Sequence, residues 1–261
     1  MAEAEFEQRF GGLRRLYGSD AIEAFKKSHV AVVGIGGVGS WAAEALARSA
    51  IGTITLIDLD DICITNTNRQ IHALQNTVGL PKVEVMAERI KAINPHSKVN
   101  IIDDFITTDT LADYLTDDID CVIDAIDSVR SKTAMIAYCK RHKIPIVVTG
   151  GAGGQIDPTL ITTGDLSRTY NDPLLAKVRN LLRREYRFST NPKRRFSVEC
   201  VYSTEQLTYP KPDGSVCQQK SVMEGGVRLD CSGGFGAATM VTASFGFAAT
   251  ACALRKIIKA N

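Results

Sequence analysis

Residues 29–40 read HVAVVGIGGVGS, and this stretch decides the fold. Its first half has the β-branched, apolar texture of a short strand. Its second half sets Gly34, Gly36, Gly37 and Gly39 in a turn that runs into an Ala-rich helical segment, 41–49. Glycines in that position let the backbone approach a phosphate, and free N–H groups at the start of the helix supply donors to it. A glycine pattern alone says little; the strand–turn–helix context gives it meaning.

Outward from this turn, short β-rich runs alternate with helical patterns across residues 29–149. The texture predicts strands at 29–35, 53–59, 98–103, 120–125 and 145–149, and helices at 41–49, 81–93 and 130–143. In the second helix Val83, Met86, Ala87, Ile90 and Ile93 share one face, and Pro81 stands in the first turn, where it is tolerated. The expected fold is therefore α/β: a doubly wound, mostly parallel, Rossmann-like sheet.

Asp58 ends the second strand 24 residues after Gly34, where a carboxylate accepts hydrogen bonds from ribose hydroxyls. Up to this point an NAD-dependent dehydrogenase would fit. The next residues depart from it. Asp58-x-Asp60-Asp61 continues into Asn66-x-Asn68-Arg69-Gln70, and Lys82 opens the next helix. A lysine there opposes the helix dipole unless an anion lies between them. Arg69 and Lys82 together read as a clamp for a polyphosphate tail, which NAD lacks. Asp124-x-x-Asp127 falls at the carboxyl end of the fourth strand, the crevice where open α/β sheets bind ligands and where Mg²⁺ would find oxygen donors. Asp124 suits a helix cap or a buried hydrogen-bonding role as well as a functional one. His72, just after Arg69-Gln70, is a further candidate; His29 and His142, at element ends, are not.

Composition narrows the classes. With 44% apolar residues among 261, wholesale disorder is excluded. Thirty-one Lys and Arg against 29 Asp and Glu leave +2, which rules out a strongly cationic coat over the whole chain. Seven cysteines without one C-x-x-C pair fit neither a disulfide framework nor a four-cysteine zinc site. The opening MAEAEFEQRF carries acids where a signal peptide needs cations, so a cytoplasmic location is expected.

The balanced sum hides segregation. Residues 1–164 are expected to form the nucleotide-binding domain, 165–220 a basic insert, and 221–261 a return to the core. The insert has helical spacing over 174–186. Within it, residues 177–195 carry Lys177, Arg179, Arg183, Arg184, Arg187, Lys193, Arg194 and Arg195, opposed over those nineteen residues only by Glu185. Such a run suits nucleic-acid phosphates. The loop Gly150–Gly154 turns away from the sheet and could offer carbonyls to a monovalent cation. Residues 231–254 lack any charge and are long enough to cross a membrane. Their Gly, Ala, Ser and Thr content favours a buried core or dimer-interface helix over membrane contact.

GIGGVGS, followed by LIDLDD, TNTNRQ, the GLPK turn and IDAIDS, resembles the adenylating domain of the ubiquitin-activating-enzyme-like superfamily over residues 9–150. The resemblance implies that ATP is the cofactor, that Arg69 and Lys82 hold its phosphates, that Asp58 binds the ribose and that Asp127 holds Mg²⁺. Asp60, Asn66 and Asn68 belong to the same expected nucleotide set. It also implies a homodimer in which an N-terminal arginine, Arg15 first and Arg9 second, reaches the partner's ATP site. The missing C-x-x-C pairs set the chain apart from the branches that activate sulfur carriers for molybdopterin and thiamine. RFGGLRRLYG, GGAGGQIDP, the basic insert and DCSGGFGAATMVTASFG are instead similar, nearly end to end, to the bacterial tRNA threonylcarbamoyladenosine dehydratase family. That likeness implies a tRNA substrate and ATP-dependent cyclisation of threonylcarbamoyladenosine beside the anticodon, through adenylation of its threonyl carboxylate. Two alternatives stay open: an activating enzyme for a ubiquitin-like sulfur carrier, and a non-catalytic sulfur-relay subunit partnered by a cysteine-desulfurase sulfur acceptor. Cys231, between Asp230 and Ser232, is either an acyl or sulfur acceptor or a small residue at a dimer contact. Cys63, Cys121 and Cys139 are expected to be packing residues.

Overall fold

The computed structural model describes residues 2–218 and 235–260. The five predicted strands form as β1 (His29–Val33), β2 (Thr53–Ile57), β3 (Lys98–Ile102), β4 (Cys121–Asp124) and β5 (Ile146–Thr149). Two more, β6 (Ile161–Asp165) and β7 (Glu199–Ser203), complete a seven-stranded sheet of order β3-β2-β1-β4-β5-β7-β6. Every pairing is parallel except β6 with β7. β1 to β4 end one or two residues before their predicted carboxyl ends, where Gly34, Asp58 and Ala125 still donate to the neighbouring strands, and β5 ends at Thr149 as expected.

Strand periodicity sorts the core into two layers. Val30, Val32, Ile54, Leu56, Ile123, Val147 and Val201 pack into one buried cluster; Ala31, Val33, Ile57, Val122, Val148 and Cys200 pack into the other. The first cluster takes in α2 (Ser19–Lys27), α3 (Gly39–Arg48), α4 (Lys82–Ile93) and α8 (Thr239–Ala260). The second is covered by α5 (Leu111–Tyr114), α6 (Val129–His142) and α7 (Pro173–Glu185). Helices on both faces make the sheet doubly wound. Strand order reverses at β1, between β2 and β4, and this switch point places the ligand crevice at their carboxyl ends.

Patterning did not predict α1 (Ala2–Tyr17) or α2, which carry Phe6, Phe10, Ile22 and Phe25 into the first layer. Nor did it place β7, which pairs with β5 at the centre of the basic stretch 165–220. That stretch therefore runs through the main sheet, and α7 rests on α6.

The uncharged C-terminal run forms α8 from Thr239. It meets the length and hydropathy of a membrane-crossing helix, yet Val241, Phe245, Ala249, Cys252, Ala253 and Ile257 bury one face against the core. Gly246 marks its closest approach: a Cβ there would lie 2.6 Å from the Val38 carbonyl oxygen and 2.8 Å from the Ala42 nitrogen. Small residues here serve contact between two helices within the protein.

Candidate active site

The crevice is built on the glycine turn. Gly34 has φ +86°, and a Cβ on it would meet Ile126 Cγ2 at 2.9 Å. A Cβ on Gly39 would lie 1.7 Å from the Gly34 carbonyl oxygen, so only glycine fits. Helix α3 has no side-chain cap at its N-terminus. Among the described residues the N–H groups of Gly36 and Gly37 have no partner. The turn thus offers unpaired donors at the positive end of a helix dipole.

Asp58 braces the turn from the end of β2. Its Oδ2 accepts from Ile35 N–H at 2.5 Å and its Oδ1 from Asp60 N–H at 2.9 Å. Burial raises its carboxyl above the ordinary value, while Lys82 acts in the opposite direction. Lys82, only 5% exposed, opens α4. Its Nζ lies 2.6 Å from Asp60 Oδ2 and 3.8 Å from Asp58 Oδ1. The anion demanded by a lysine at a helix start is here a carboxylate of the protein. A phosphate entering the crevice would compete with Asp60 for the same ammonium.

Arg69 reaches over the loop: its Cγ and Cδ lie 3.3 Å from the place of a Cβ on Gly37. Its guanidinium donates to the Thr65 carbonyl at 2.9 Å and to Asn68 Oδ1 at 3.0 Å. Among the described residues no carboxylate pairs with it, so its charge is available. Asn66 and Asn68, expected among the nucleotide ligands, also bond to the protein. Asn66 Oδ1 accepts from Cys63 N–H at 2.9 Å, and Asn68 Nδ2 donates to the Ala237 carbonyl at 2.8 Å. The Arg69 carbonyl accepts from Trp41 Nε1 at 2.9 Å and Thr242 Oγ1 at 3.3 Å. Sequence reading missed these braces, because Trp41 and Thr242 lie far from Arg69 along the chain.

At the end of β4 the two aspartates separate in role. Asp124 is fully buried, and its Oδ1 accepts from Lys132 Nζ at 2.7 Å, with Lys132 equally buried. Burial raises the Asp124 carboxyl and Lys132 opposes that rise. Its Oδ2 has no partner. Lys132, from α6, had no signal in the sequence. Asp127, three residues on, is exposed at the crevice, and its carboxylate has no partner among the described residues. No group of three or more His, Cys, Asp or Glu able to hold a metal occurs among the described residues.

The remaining candidates divide similarly. Arg15 is exposed on α1 with no carboxylate partner among the described residues, whereas Arg9 pairs with Glu5 at 2.9 Å. Arg179 donates to Thr169 Oγ1 and Arg183 to the Ser189 carbonyl, 3.4 Å away, with its guanidinium over the Phe196 ring. Both are struts of the α7 region. Lys177, Arg184, Arg187, Lys193, Arg194 and Arg195 are exposed. In the Gly150–Gly154 loop, the carbonyls of Gly151 and Gly154 accept from Gln155 Nε2 at 3.0 Å and Thr208 N–H at 2.8 Å. Cys121 and Cys139 are packed as expected, burial pushing both thiols up to about 12. Cys63 is not: it is exposed, and a hydrogen bond from Thr65 Oγ1 at 3.2 Å lowers its thiol. Asp230 and Cys231 lie outside the described residues.

Known proteins share this arrangement. The chain is 60% identical over 253 residues to the tRNA threonylcarbamoyladenosine dehydratase of Escherichia coli (strain K12), covering 97% of this chain and 94% of that one. The solved structure of TcdA (CsdL) superposes with a TM-score of 0.92 at 57% identity, covering 98% of this chain and 96% of the other. E. coli tRNA N6-threonylcarbamoyladenosine dehydratase, TcdA, solved in complex with ATP, matches with a TM-score of 0.87 at 55% identity, over 98% and 96% of the two chains. A model of the ThiF family spans residues 11–259. With glycine turn, carboxylates and cations in one crevice and a match over nearly its whole length, the chain belongs to the ThiF family.

Proposed function

We propose that the chain catalyses the ATP-dependent dehydration of threonylcarbamoyladenosine beside the anticodon of tRNA, closing it to a cyclic form. The observation that carries this reading is the 60% identity to the E. coli dehydratase over nearly the full length of both chains. The crevice supplies the matching chemistry.

A carboxylate is a poor electrophile because attack on it would have to expel oxide. One threonyl carboxylate oxygen attacks the α-phosphorus of ATP, a P–O bond to the leaving group breaks, and pyrophosphate departs. A nitrogen of the carbamoyl group then attacks the activated carbonyl carbon, loses its proton and expels AMP. Both reacting groups belong to one substituent, so proximity makes the second step effectively unimolecular and no enzyme nucleophile is required.

In this proposal the Gly36 and Gly37 N–H groups and the guanidinium of Arg69 receive phosphate oxygens, and Lys82 exchanges Asp60 for phosphate. Asp58 accepts from ribose hydroxyls. These fixed charges stabilise the negative charge that grows as pyrophosphate separates. Asp127, exposed and without a protein partner, suits Mg²⁺ that takes its other oxygens from nucleotide and water. Bound with ATP, that ion would supply charge neutralisation at the phosphates. Arg15 would complete the site of a second copy in a homodimer. The six exposed cations of the basic stretch would receive tRNA phosphates, and the enzyme would work in the cytoplasm. A monovalent cation at the Gly150–Gly154 loop, a role for Cys231 and a sulfur-acceptor partner rest on the sequence alone.

ATP–pyrophosphate exchange tests the reading. Stimulation by tRNA carrying threonylcarbamoyladenosine, and not by the unmodified tRNA, is expected. Stimulation by a ubiquitin-like carrier protein alone would overturn it.

A further inference from the structure

The two peptide units that flank Ile35 are each held by a side chain. Ile35 N–H donates to Asp58 Oδ2, and the Ile35 carbonyl accepts from His72 Nε2 at 2.8 Å. His72 is 1% exposed. Burial pushes its imidazole down to about 4, with Lys82 and Arg89 acting in the same direction. The ring is therefore neutral near pH 7. A carbonyl only accepts, so the single ring proton resides on Nε2. Nδ1 is left without a partner.

A trans peptide carries its C=O and N–H on opposite edges, and no cis bond occurs among the described residues. With the Ile35 carbonyl turned toward the buried imidazole, the Gly36 N–H turns the other way, away from His72. The preceding peptide obeys the same rule. Its N–H faces Asp58, and its carbonyl, that of Gly34, stands where a Cβ on Gly39 would strike it at 1.7 Å. Two side chains thus set the successive peptide orientations that leave the Gly36 N–H without a protein partner, while the Gly36 carbonyl accepts from Ser40 N–H at 3.1 Å.

The geometry points to His72 as a positioning residue that turns the Ile35–Gly36 peptide so that the Gly36 N–H meets the phosphates of the bound nucleotide. This rests on the reading of the glycine turn as a phosphate cradle. Asp58 braces the preceding peptide, through Ile35 N–H, but also serves the ribose in that reading. His72 bonds the carbonyl alone, so its removal isolates the effect on phosphate.

The test compares ATP with adenosine, which has the base and ribose but no phosphate. Calorimetric titration of His72→Met should show ATP affinity falling about tenfold, the equivalent of about 1.4 kcal/mol, with adenosine affinity within twofold of wild type. His72→Gln, whose side-chain amide can donate to the same carbonyl, should restore ATP binding to within about threefold. Equal weakening of both ligands would mark a merely structural role, and unchanged ATP binding would mean that the contact is idle. Either result overturns the proposal. If His72→Met does not fold, His72→Asn, whose amide is too short to reach, supplies the same comparison. Failure of the wild-type chain to bind ATP would overturn the nucleotide reading itself.

Discussion

Replacing Lys132 by Met removes the one cation that compensates Asp124. Both side chains are fully buried and joined at 2.7 Å, and the methionine fills most of the lysine's volume. The perturbation is therefore electrostatic and leaves little cavity. Removing one partner of a buried pair costs about 3–5 kcal/mol because the other charge is left uncompensated. Asp124 has an escape: it can protonate. From an ordinary value of 3.8, holding the proton at pH 7 costs about 4 kcal/mol at 1.36 kcal/mol per unit, which limits the loss to the same range. The sign with pH follows. Without Lys132 the folded-state carboxyl rises further above its unfolded value, so the folded protein binds the extra proton. Relative stability is then retained at low pH and lost as pH rises. Urea denaturation should show the variant about 4 kcal/mol less stable than wild type at pH 7, with the gap narrowing at pH 5. Adding Asp124→Asn should recover part of the loss, because no buried charge then remains. A single variant within about 1 kcal/mol of wild type at pH 7, or a gap that widens on acidification, would refute the argument.

Arg69→Ala should abolish pyrophosphate exchange with unchanged thermal unfolding, since the guanidinium bonds only its local turn; a stability loss above about 1 kcal/mol would contradict that view. Asp127→Ala should leave ATP binding without Mg²⁺ intact while removing the gain in affinity that Mg²⁺ brings, measured by titration with and without the ion. Gly39→Ala sets a methyl against the Gly34 carbonyl and should eliminate ATP binding and cost about 3 kcal/mol in denaturant unfolding. Charge reversal at Lys193, Arg194 and Arg195 should weaken tRNA binding and lower its salt dependence while leaving ATP affinity alone. Arg183→Glu, by contrast, should lower the melting temperature.

The parts of the molecule that were legible in the sequence are those set by local rules. Strand runs, helical spacing and the glycine turn follow from side-chain periodicity and backbone sterics, so β1 to β5 and the helices α3, α4 and α6 could be placed within a few residues, whereas the four-residue α5 could not. The candidate nucleotide set could be named because Gly34, Asp58, Lys82 and Asp127 lie at or beside the ends of those elements, where a doubly wound sheet gathers its ligands, and Arg69 lies in the loop between two of them. Strand β7 was hidden by its cationic surroundings, and α1 by its mixture of charges and phenylalanines.

Residue type and order alone determined the five parallel strands β1 to β5, the crevice at their ends and the candidate ligands, because periodicity, glycine sterics and topology act within a few residues or along one βαβ unit. Only the tertiary structure decided which like residues do different work. Asn66 and Asn68 bond to neighbouring protein groups, Asp124 is paired with Lys132 while Asp127 has no partner among the described residues, and two arginines of the basic run are struts while six cations face solvent. The same holds for His72 and the Ile35 carbonyl, 37 residues apart. Such assignments depend on burial and on which partner arrives from elsewhere in the chain, and those quantities exist only once the layers have packed.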